Sequence, residues 1–151
     1  MSDRATPRQV FETRNSLVAA GKWGEIADLY SEDTVVETPF ALPAPHRAEG
    51  REAVRAHFAR AASGAIEMQT HNVRIHETTD PEVIVIECDY QGRIVATGRT
   101  FEVPSVQILQ VRDGMIVSAR DFTNHAVMAA AMGQLPAVLA ALDPQSTPND
   151  Q

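Results

Sequence analysis

The spacing of apolar residues changes period once along this chain, around Gly64, and that change does most to limit what it can fold into. Before it, apolar residues recur every three or four positions, the repeat of a helix face; after it come β-branched runs broken by turn dipeptides. Thr6-Pro7-Arg8-Gln9 opens the first helix. Thr6 can accept from a free amide, Pro7 fits the first helical position, and Gln9 closes a capping box. Val10, Phe11, Leu17 and Val18 supply its buried stripe, and Gly21 can end it. Trp23, Ile26, Ala27 and Tyr30 then stand at i, i+3, i+4 and i+7, predicting a second short helix with all four on one face. Val35 to Thr38 reads as a short strand, and Pro39 to Gly50, with Pro39, Pro43 and Pro45, as a loop. Arg51 to Ala62 predicts a third helix whose stripe is Val54, His57, Phe58 and Ala61.

Beyond Gly64, the turn signals Asp80-Pro81, Gln91-Gly92 and Asp113-Gly114 divide the chain into strands near 66–78, 82–96, 99–112 and 115–123. Helices followed by an antiparallel meander predict an α+β fold. Ala126 to Met132, behind Asn124 as a cap, predicts a short helix, and Leu135 to Leu142 a further apolar piece. Asp143 to Gln151 is polar and proline-containing, so it is expected to be a tail outside a single domain spanning 1–142. A chain of 151 residues can bury a core without staples, and its one cysteine, Cys88, cannot form an internal disulfide.

Several function classes find no support. Net charge is −7 and Lys22 is the only lysine, so the basic stripe of a nucleic-acid binder is missing. No run approaches the roughly 18 apolar residues of a membrane span. The polar Met1–Pro7 segment lacks a signal-peptide core, so a cytoplasmic location is expected. His46, His57, His71, His76 and His125 show no metal-ligand spacing, and no nucleotide-binding glycine motif or nucleophile elbow occurs. Neither a metal nor a cofactor is expected.

The residues able to carry chemistry lie near strand and helix faces. Asp121 shares a strand side with Met115, Val117 and Ala119, and a carboxyl on an apolar face is costly to ionise, which suits acid-base work. His57 sits between Val54 and Phe58 on the third helix's apolar stripe, so it is expected to face the sheet. A His and an Asp in one pocket would divide acid and base roles near neutral pH. Glu87 and Asp89 share a strand face with Val83 and Val85; they either line the pocket or both look to water. Asp89 is the third catalytic candidate. Arg14, Trp23, Tyr30, Thr38, Phe40, Phe58, Glu87 and Phe101 complete the candidate wall, with Met115, Met128 and Met132 as an adaptable rim. Val106, Ile108 and Ile116 are expected to face outward as a homodimer patch.

These segments carry a family resemblance. Leu29-Tyr30-Ser31-Glu32-Asp33, Gly50-Arg51-Glu52-Ala53-Val54, and Asp113-Gly114-Met115-Ile116-Val117 running into Ala119-Arg120-Asp121-Phe122 resemble SnoaL-like polyketide cyclases. Those enzymes belong to the cone-shaped nuclear-transport-factor-2-like superfamily. His76-Glu77-Thr78-Thr79-Asp80-Pro81, Ile86-Glu87-Cys88-Asp89, Gly92-Arg93 and Arg120-Asp121-Phe122-Thr123-Asn124 are similar to the phenazine-biosynthesis A/B group. The resemblance implies helices packed on a curved sheet around an apolar pocket, a homodimer, an acid-base carboxylate at Asp121 and a ligand-contacting histidine at His57. Steroid-isomerase relatives carry an Asp base where this chain has Thr38 and a Tyr donor where it has Arg14. Limonene-epoxide-hydrolase relatives carry an arginine where it has Glu87. The phenazine group's serine falls on Ala61. The expected function is a cofactor-free isomerase or cyclase of a small, mostly apolar carbonyl compound. Epoxide opening shared by Asp121 and Asp89, and non-catalytic binding, are the alternatives.

Overall fold

The computed structural model describes residues 3–63 and 65–144, so residues 145–151 of the expected tail lie outside it. Helix α1, Pro7–Ala19, begins as expected: the Thr6 hydroxyl accepts from the Gln9 amide, and the Gln9 side chain accepts from the Thr6 amide. It buries Val10, Phe11 and Arg14. Helix α2 is a single turn, Trp23–Ile26, that tightens into a 3-10 turn over Ala27–Leu29. The chain is already extended at Tyr30, so strand β1 runs Tyr30–Thr38 and starts five residues before the expected strand. Tyr30 nonetheless reaches the core, 2% exposed, from a strand instead of a helix.

The proline-rich loop also contains a strand, β2, His46–Glu49, paired antiparallel with β1. Only Ala48 of its four residues is buried, so it lacks the apolar alternation by which strands are recognised. Helix α3 is Arg51–Ser63. Strands β3 (Ile66–Glu77), β4 (Val83–Ile94), β5 (Thr100–Arg112) and β6 (Met115–Thr123) follow the expected meander. Helices α4, His125–Ala131, and α5, Leu135–Leu142, complete the described chain.

The six strands form one curved, unclosed sheet in the order β2-β1-β6-β5-β4-β3. β1 lies parallel to β6 and the other neighbours are antiparallel. The architecture is an α+β cone. Its inner face carries Ile84, Ile86 and Cys88 of β4 and Phe101, Val103, Ser105, Gln107, Leu109 and Val111 of β5, all buried. Phe11 of α1 and Ile26 of α2 are completely covered. Each such side chain contributes about 1.5–3 kcal/mol through burial.

One register shift alters the sequence reading of β6. Gln110 pairs Ser118 while Val111 pairs Ile116, so Val117 is an extra residue at a bulge. Side-chain parity switches there, and Ile116 and Ala119 both turn inward, 0% and 1% exposed. Ile116 is therefore core and leaves the expected outer patch, whereas Val106 is 38% exposed. A second, smaller apolar cluster joins Ile94, Phe101 and Val103 to Val127, Met128 and Ala131, so α4 closes one end of the inner face. Among the described residues no helix is long and apolar enough to cross a membrane.

Candidate active site

Two inward positions on adjacent strands define the site. Gln107 of β5 pairs directly with Asp121 of β6, which places both side chains on the concave face. Asp121 opens into a cavity of about 280 Å³ with Thr38 beside it from β1. Tyr90 and Val103 supply the wall from β4 and β5, and Met68 and Met128 add flexible apolar surface. His57 and Arg60 enter from α3, His46 from β2 and His125 from α4. Asp121 and His57, about 64 residues apart in sequence, thus line one cavity.

The polar groups are graded by depth. His46 and His57 are exposed, with rings stacked at a centroid distance of 5.8 Å, and His57 meets Phe58 edge-on at 5.5 Å. The cavity wall partly desolvates the His57 ring and, with the charges of His46, Arg60 and His125, holds its pKa below the ordinary imidazole value. His125 is also shifted down by burial, and its Nε2 is buried without a partner. Asp121 lies deeper. Its Oδ1 is buried and has no hydrogen-bond partner. Burial raises its pKa, and the Arg14 guanidinium draws it part of the way back.

Arg14 sits behind the cavity, 6% exposed. It donates to the Tyr30 hydroxyl at 3.3 Å and, through Nη2, to Gln107 Oε1. Gln107 Nε2 in turn donates to the Tyr90 hydroxyl. Burial works against the arginine's charge, but Tyr30, Tyr90 and Asp121 outweigh it and keep the guanidinium charged.

Residues 9–119 match the SnoaL-like domain family. The chain belongs to that family. It is 32% identical over 111 residues to an uncharacterised PhzA/B-like protein of Pseudomonas aeruginosa, covering 73% of this chain and 78% of that one. A Bacillus subtilis structure provisionally named an isomerase superposes with a TM-score of 0.79 at 22% identity, over 85% of this chain and 93% of that one. A Pseudomonas putida structure provisionally named a polyketide cyclase superposes with a TM-score of 0.71 at 16% identity, over 84% and 98% of the two chains. At those identities the two structures speak for the fold.

In this SnoaL-like chain, the expected site residues divide into three groups. Asp121, His57 and Thr38 line the cavity, and Arg14 supports it from behind. Glu87 and Asp89 do not face it. Their strand parity turns them to the outer face, where Glu87 meets His76 at 2.6 Å and Asp89 accepts from Asn72 at 2.8 Å. The expected catalytic place of Asp89 is corrected by this geometry, because Ile84, Ile86, Cys88 and Tyr90 occupy the inward positions of β4. The aromatic wall is likewise mostly packing. Phe58 lies against Trp23 and Tyr30 at centroid distances of 6.3 and 6.2 Å, in the main core. Phe40 is 63% exposed and rests edge-on against Phe122. Phe101 belongs to the smaller cluster and borders a separate open groove of about 860 Å³, which Met68 also touches. Of the expected methionine rim, Met128 lines the cavity, while Met132 is 40% exposed elsewhere.

Tyr90, His46, Arg60 and His125 were not expected at the site. The unbroken apolar run Ile84, Ile86, Cys88, Tyr90 carried the parity that points Tyr90 inward. His46 was hidden in the proline loop, and only pairing with β1 places it. Among the described residues, no three His, Cys, Asp or Glu side chains are grouped to hold a metal ion.

Proposed function

We propose that this SnoaL-like protein is a small-molecule isomerase or cyclase in which Asp121 moves the proton. The carrying observation is a carboxyl oxygen with no partner, buried in a mostly apolar cavity, with its pKa raised. A carboxylate without competing hydrogen bonds is a stronger base, and a pKa raised by burial favours both taking a proton and holding it for return. The cycle begins with Asp121 ionised. It takes a proton from the carbon next to a substrate carbonyl, whose oxygen gains the electron pair, and then protonates a second atom. His57, kept neutral, can serve as the acid or base nearer the entrance.

At about 280 Å³ the cavity lies just below the usual range of ligand pockets, about 300–1,000 Å³, which favours a reacting unit of one ring or a short chain. The names borne by the related structures, an isomerase and a polyketide cyclase, agree with this chemistry. The test is incubation of wild-type protein and the Asp121→Asn variant with a panel of cyclic enones and short polyketide analogues, read by mass spectrometry and NMR. Altered connectivity at unchanged mass, in wild type only, is the expected result. Equal conversion by both proteins would overturn the assignment, and ligand recovered unchanged from both would favour a carrier.

A further inference from the structure

The hydrogen-bond direction along Arg14, Gln107 and Tyr90 is fixed by chemistry. Arginine has donors and no acceptor, so the Gln107 oxygen must face Arg14 and its NH2 must face Tyr90. The Tyr90 oxygen therefore receives a hydrogen bond, and its own proton must point elsewhere. Cys88, buried two residues earlier on the same inward side of β4, has a thiol pKa raised by burial and eased by the Tyr90 hydroxyl, so that thiol is one group the proton can meet. A thiol sulfur is a weak acceptor that a carbonyl oxygen can displace. Tyr90 also lines the cavity that holds Asp121.

We infer that Tyr90 is the donor that receives the substrate's oxygen as it gains negative charge, with Gln107 and Arg14 as the residues that position and polarise it. This rests on the proton-transfer reading of Asp121 and names the second half of that chemistry. When Asp121 takes the carbon-bound proton, the C–H electron pair forms a carbon–carbon double bond and the carbonyl pair moves onto oxygen. The oxyanion accepts from Tyr90, whose proton stays on its own oxygen. Charge passes from Asp121 to the substrate oxygen, and the chain of donors behind that oxygen ends on a buried cation. A preorganised donor is most effective in such a water-poor site, where it needs no rearrangement as the charge develops.

A phenolate is a stable stand-in for the oxyanion, so the test measures binding of 4-nitrophenol, which absorbs differently when ionised. The parent is Asp121→Asn, which removes the competing carboxylate, and 4-nitroanisole, the uncharged methyl ether, is the control for shape. The parent is expected to bind nitrophenol as the phenolate. Adding Tyr90→Phe should weaken that binding about ten- to a hundredfold, the range for a hydrogen bond to a charged group, and leave nitroanisole binding within about twofold. Gln107→Glu keeps the phenol but offers it an acceptor, turning its proton away from the cavity; it should reproduce the selective loss. Phenolate affinity unchanged by Tyr90→Phe, or no phenolate binding by the parent, would overturn the inference. Activity lost in Asp121→Asn together with phenolate affinity indifferent to Tyr90 would retain the base and remove the donor. The reverse pair of results would retain the donor and remove the base.

Discussion

Gly92 of β4 lies beneath the ring of Phe101, its partner across β5. A Cβ added at Gly92 would come within 2.5 and 2.7 Å of the ring atoms Cε1 and Cε2, and closer still to Cζ. The Gly92→Ala change meets no backbone obstacle, because this glycine is not in the left-handed region. Two relief routes exist. The ring can hold its place and force shifts in Ile94 and Val103, an overpacking cost of about 1–3 kcal/mol. Alternatively it swings out into the adjoining groove and loses burial worth about 1.5–3 kcal/mol. Reduced freedom of the unfolded alanine chain returns about 0.4–1 kcal/mol. The net expectation is a loss of about 1–2 kcal/mol, or roughly 2–8 °C in Tm for a chain of this size. Urea and thermal unfolding of Gly92→Ala, Phe101→Leu and the double variant test the origin. The double variant should recover about 1 kcal/mol relative to the sum of the singles. A Gly92→Ala protein as stable as wild type, with additive singles, would refute the contact.

Arg14→Met strips the buried Tyr30 and Gln107 acceptors of their donor, at about 1–3 kcal/mol each. Unfolding should show a loss of about 2–4 kcal/mol, and NMR titration of the Asp121 carboxyl should show its pKa moving further up; a fall would contradict the pairing. Asp121 has a raised folded pKa, so its protonated form stabilises the fold fully below the unfolded value near 3.9. That contribution is lost as pH rises through the folded pKa. Asp121→Asn should therefore gain stability relative to wild type between acid and neutral pH, measured by urea unfolding, and a difference independent of pH would refute the burial argument. Asn124→Ala removes the side-chain acceptor for the Val127 amide at the start of α4, costing about 1 kcal/mol in unfolding. Because α4 carries His125 and Met128, probe binding in the cavity should weaken as well.

The element order was legible because most local signals agreed with the fold. The Thr6–Gln9 capping box formed, and Asp80-Pro81 and Asp113-Gly114 fall at turns, but Gln91-Gly92 lies within β4, paired with Glu102 and Phe101, and the turn into β5 comes after Ile94. What escaped depended on pairing. His46–Glu49 is polar at three of four positions, as an exposed edge strand can be, and becomes a strand only against β1. The bulge at Val117 reverses parity through hydrogen-bond register, which no residue type announces, and so hid the burial of Ile116. The inward side of Asp121 was legible from Ala119 and from the family resemblance, whereas Met115 and Val117 lie across the parity switch and do not share its face. Asp89 was misplaced by attention to its charge, where the even-numbered apolar residues of β4 already assigned the inner face. Phe40 and Phe58 show that aromatic character alone does not distinguish pocket wall from packing.

The measurement closest to the central claim is solvent-deuterium exchange into a small ring ketone, such as 2-cyclohexenone, followed by NMR with wild-type and Asp121→Asn protein at equal concentration. Proton transfer by Asp121 predicts deuterium entering the carbon positions activated by the carbonyl at a rate enhanced by wild type, and falling to near the uncatalysed rate in the variant. Equal exchange with both proteins, while the variant remains folded, would contradict it.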